Sequence, residues 1–163
     1  MYRIVTLAAF NQRCYIGLLW YFPMETSDLL RHRLIKTLMA QQPGKVADAA
    51  INLWEQMANQ IISIIGDAGF SSLYARSVFL TQSSFPWLAA GSLRPQAEYR
   101  FAELKMSFEG QTPEQADEAN ILLLITFTDI LAALIGEQLT TSILRSAWGI
   151  DASHKADKEF KNE

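Results

Sequence analysis

His32 and Lys36 stand one helical turn apart in Leu30-Arg31-His32-Arg33-Leu34-Ile35-Lys36, which sets an imidazole and an ammonium on one strip of a helix. Such a strip can display a phosphoacceptor histidine, with the neighbouring cation steadying the phosphoryl group. The flanking residues fit that chemistry poorly. The H-x-x-K-G pattern of phosphotransfer domains is missing, because Lys36 comes at the fourth position and Thr37 follows it. No acid and proline follow the histidine, as they do in kinase dimerisation helices. The simpler reading is a solvated basic face. Arg31, Arg33 and Lys36 beside Leu30, Leu34 and Leu38 could also meet an acidic partner or lie on an anionic membrane surface.

Asp129 is the second polar position of interest. It interrupts the apolar run Ile121–Ile135, and on a helix its neighbours include Leu122, Ile125, Thr126, Ala132 and Ala133. A carboxylate buried there without a partner would cost several kcal/mol. The expectation is an ion pair with Arg76 or Arg145, with an opening onto a groove or solvent edge as the alternative.

Other chemistries find little support. His32 and His154 are too far apart for a ligand-spaced pair, and the single cysteine, Cys14, excludes both a cysteine zinc site and an internal disulfide. No metal or cofactor is expected. Gly66-Asp67-Ala68-Gly69 lacks the context of a phosphate loop, and no serine sits in a nucleophile elbow. Trp54, Tyr74, Phe79, Phe127 and Trp148 could line a pocket for a small apolar ligand between helices; as core filling they need no ligand.

A net charge of −3 argues against nucleic-acid binding through overall charge. The Ile121–Ile135 run is shorter than the ~20 residues of a bilayer span and has an acid within it, so it reads as a core helix. Residues 1–23 are aromatic-rich and end at Pro23. They read either as an amphipathic helix docked on the body or as the product of an upstream start, with Met24 as the alternative first residue. They do not match a signal peptide, and a cytoplasmic location follows from this and from the cysteine usage.

Helix periodicity and breakers then place the elements. A first helix is expected over 27–40 with Leu30, Leu34 and Leu38 inward, stopped by Pro43-Gly44. A second runs over 45–65 to Gly66, a third over 71–82, and a fourth over 96–109. Thr112-Pro113-Glu114-Gln115 is a capping box that opens a helix reaching Ile135, and a last helix covers 140–148. The tail 151–163 is charged and reads as disordered.

Two stretches echo each other. At a step of 70, Ile65-Gly66-Asp67 matches Ile135-Gly136-Glu137; at 69, Arg76-Ser77 matches Arg145-Ser146. This suggests a duplication of helical pairs over 45–79 and 113–148. The expected architecture is an all-α, bundle-like domain of six or seven helices over 24–150. The expected function is a non-catalytic interaction or regulatory module, associating with itself or with another protein.

Overall fold

The computed structural model describes residues 27–41, 45–88, 93 and 99–150. Segments 1–23 and 151–163 lie outside the described residues. The protein is all-α, and the described residues form a bundle of five helices: α1 (Ser27–Ala40), α2 (Val46–Thr81), α3 (Ala102–Glu109), α4 (Pro113–Ile135) and α5 (Glu137–Ala147). Among the described residues the second and third expected helices form a single element, α2, 36 residues long.

Gly66 accounts for this. It adopts φ 78° and ψ 166°, a conformation closed to side-chain-bearing residues, so the chain kinks there and resumes a helix at once. Gly136 does the same between α4 and α5, at φ 94° and ψ 153°. A Cβ at either position would meet nothing within 4 Å. The cost of a side chain is therefore torsional, and Gly66→Ala and Gly136→Ala should each lose about 1–2 kcal/mol. Urea melts of the two variants check this, and an unchanged midpoint in either would show that its kink tolerates a side chain.

The sequence signals at the start of α4 act as expected. Thr112 is extended (φ −67°, ψ 153°) and its hydroxyl accepts from the Gln115 N–H at 3.3 Å, with Pro113 supplying the pre-set first turn. By length and composition α4 is long and apolar enough to cross a membrane. Within the bundle it is the central helix, touching α1, α2, α3 and α5 and burying Leu123, Leu124, Phe127 and Leu131 completely.

The core centres on Trp54. Its ring meets Tyr74, Phe101 and Phe127 at centroid distances of 5.5, 5.7 and 5.4 Å, two of them edge-on, as the ring quadrupoles favour. Its indole N–H donates to Asn120 Oδ1 at 2.9 Å, and the Asn120 amide donates to Met39 Sδ at 3.2 Å. The buried hydroxyls of Ser77, Thr81 and Thr140 donate to carbonyls of the preceding turn, so small polar residues enter the interior without losing hydrogen bonds.

Two helix faces differ from expectation. On α1 the buried positions are Arg31, Ile35 and Met39, while Leu30 is exposed. On α2, Ile64 and Phe79 face outward and Ser77 faces inward. The fourth helix, expected from 96, is described from Ala102 as α3, and its Lys105 pairs with Asp48 at 2.7 Å.

Candidate functional site

Arg31 lies one and two turns before Ile35 and Met39 on the buried face of α1. It therefore enters the bundle with them and is 2% exposed. Its guanidinium bonds Asp129 on α4 through one terminal nitrogen and Glu137, the first residue of α5, through the other. Burial opposes its charge, but the hydrogen bonds and attraction from Glu137 and Asp129 together raise its pKa above the ordinary value. The Nε has no hydrogen-bond partner among the described residues.

His32 follows on the cleft side of α1, and its Nε2 lies 2.8 Å from the same Asp129 oxygen. Asp129 thus receives both residues while remaining 45% exposed. The cleft these groups share is about 420 Å³, lined also by Asp28, Ala132, Ala133 and Glu137. Ala132 and Ala133 leave room beside the acids because their side chains end at Cβ.

Asp129 therefore does not pair with Arg76 or Arg145. Arg76 is exposed on the second arm of α2, 5.8 Å above the Phe79 ring. Arg145 is exposed on α5 and lines an adjoining groove with Leu30, Gln138 and Thr141. The premise is reversed as well: the deeply buried charge is the arginine, and the carboxylate keeps half its contact with water. Arg31 also leaves the basic face, so of the three cations set there Arg33 and Lys36 remain exposed.

The other candidates separate in the same way. Lys36 is exposed one turn beyond His32. Asp28, Asp129 and Glu137 line the cleft beside His32, and Asp129 already meets its Nε2, which sets carboxylates where a phosphoryl group would have to sit. Trp54 is buried against both Tyr74 and Phe127, Phe79 is 66% exposed, and the Trp148 indole N–H donates to the Leu53 carbonyl at 3.2 Å. These five rings do not converge on one space. Among the described residues no group of three or more His, Cys, Asp or Glu is placed to hold a metal ion.

Glu137, Asp28 and the inward turn of Arg31 escaped the sequence reading. The signal was the i, i+4, i+8 series Arg31, Ile35, Met39, hidden by the more apolar Leu30, Leu34, Leu38 series beside it.

Comparison with known protein families, curated proteins and solved structures finds no match for this chain.

Proposed function

We propose that the protein is a non-catalytic helical interaction module that associates with a second copy of itself. The observation that carries this reading is the outer stripe on the second arm of α2. Ser72, Ala75, Arg76, Phe79, Leu80 and Ser83 are all exposed, and a phenylalanine 66% open to water has an arginine stacked on it. Exposed apolar surface of this kind marks an association site more often than a scattered side chain does, and aromatic residues and arginine are the side chains enriched at interfaces. No acid interrupts the stripe. The use of a single cysteine supports a cytoplasmic setting.

Light scattering coupled to size exclusion tests the reading. The natural chain should elute as a dimer at tens of micromolar, and Phe79→Glu as a monomer. Because Phe79 packs so little within its own chain, stability should change by no more than about 0.5 kcal/mol. A natural chain that stays monomeric at high concentration overturns self-association.

The same reading includes an internal duplication of helical pairs over 45–79 and 113–148. What supports it is the near-identical backbone conformation of Gly66 and Gly136, each joining two helices. Matching losses in the two Gly→Ala variants would agree with it, and clearly unequal losses would count against it.

A further inference from the structure

Two ion pairs join parts of the chain that stand a fixed distance apart in sequence. Arg31 bonds Glu137, the residue after Gly136, and Arg100 bonds Asp67, the residue after Gly66. The two arginines are 69 positions apart and the two acids 70. The partners are exchanged: the arginine of the first half holds the acid of the second, and the reverse.

Packing follows the same exchange. α1 lies on α4 and α5, and α3 lies mainly on α2. The buried Ile35 and Met39 of α1 correspond, at a step of 69, to the buried Leu104 and Phe108 of α3. The Lys105–Asp48 pair has the like-charged residues Lys36 and Glu118 at the matching positions. Beyond the glycines the buried positions keep a step of 70, with Leu73 and Tyr74 answered by Ile143 and Leu144. The step of 69 that paired Arg76 with Arg145 is not the one burial follows.

The two long helices also start together. Val46 and Ala47 share a cavity with Pro113 and Ala116, and further along Trp54 meets Asn120 and Phe127. α4 and the first arm of α2 therefore run parallel and reach their glycines at the same end of the bundle. Parallel neighbours in register are what a two-fold axis along the helices produces.

We infer that residues 27–81 and 99–147 are two copies of one unit (helix, long helix, glycine, helix) packed about a pseudo-two-fold axis. Each copy's arginine clasps the acid that opens the other copy's last helix. This rests on the duplication proposed above and extends it to α1 and α3. The clasp has a mechanical role. The first turn of a helix presents N–H groups and a positive partial charge, which favours an acid there. An arginine from the opposite copy fixes that acid, and with it the direction of the helix it begins. Releasing one clasp loosens the last helix of the other copy.

Hydrogen exchange on the full chain tests this with Arg31→Gln and Arg100→Gln. Arg31→Gln should speed exchange at 140–144 about threefold or more beyond any change at 70–74, and Arg100→Gln should do the reverse. Arg31→Lys and Arg100→Lys keep the charge and should recover part of the protection. Loosening of the variant's own copy, equal loosening of both segments, or no change at either overturns the exchanged clasps. The duplication itself is read separately, from the Gly66→Ala and Gly136→Ala melts, so matched losses there beside a failed exchange pattern would leave the duplication without the clasps.

Discussion

Trp54→Ala is expected to destabilise the protein by about 4 kcal/mol, the largest loss of any single side chain considered. The indole is fully buried and three aromatic rings rest against it, so truncation opens a cavity that the α2–α4 contact cannot close without moving both helices. The change also removes the donor to Asn120 Oδ1, leaving a buried carbonyl oxygen unsatisfied at a cost of about 1–3 kcal/mol. For a domain of this size the midpoint should fall by roughly 10 °C. Trp54→Phe separates the two contributions, because it keeps most of the ring and loses the donor. A phenylalanine variant as unstable as the alanine one would mean that the hydrogen bond, not the packing, dominates at this position.

Trp54 also shows how far the sequence could be read. Its place on the inward face of α2 follows from the apolar spacing of Ala50, Leu53, Trp54, Met57 and Ile61, all buried. Periodicity cannot show what such a ring meets, and its bond to Asn120 crosses 66 positions of chain. Helix starts with strong local chemistry, such as Thr112-Pro113, were legible because a cap is decided by adjacent residues. Glycine permits a stop at Gly66, yet whether the next residue resumes a helix depends on what the second arm packs against. Phe79 illustrates the opposite failure. A large apolar side chain reads as interior, although position on the helix, not residue type, decides burial; the buried pair there is Tyr74 and Val78.

The polar site was half legible for a similar reason. An acid amid Leu122, Ile125 and Ala132 announces that something must meet it, and Arg31 does so from a helix 98 positions away. Local pattern favoured arginines at equivalent places in the echoing stretches. Tertiary packing instead placed α1 across α4 and α5, where the inward face of α1 includes a guanidinium. Under the duplication proposed above, the equivalent arginines are Arg31 and Arg100, whose spacing matches only once α1 and α3 are taken as counterparts.

Arg31→Met should cost about 3 kcal/mol, near the lower end for breaking a buried ion pair by removing one partner. The low figure follows from the exposure of the acids. Asp129 is 45% and Glu137 24% exposed, so both can rehydrate, and Asp129 keeps His32 at 2.8 Å. Methionine fills much of the arginine's volume and removes the buried Nε that has no partner among the described residues. What remains of the loss is the repulsion between two carboxylates brought together without their cation. Arg31→Met/Glu137→Gln removes one of those charges and should recover about half of the loss, since replacing a buried pair as a whole costs far less than orphaning one member. A chemical-denaturation series on the single and double variants decides between this account and a simpler one. If Arg31→Met lost less than about 1 kcal/mol, Ile35 and Met39 alone would be holding α1 in place, and the guanidinium would be a passenger on an apolar helix face.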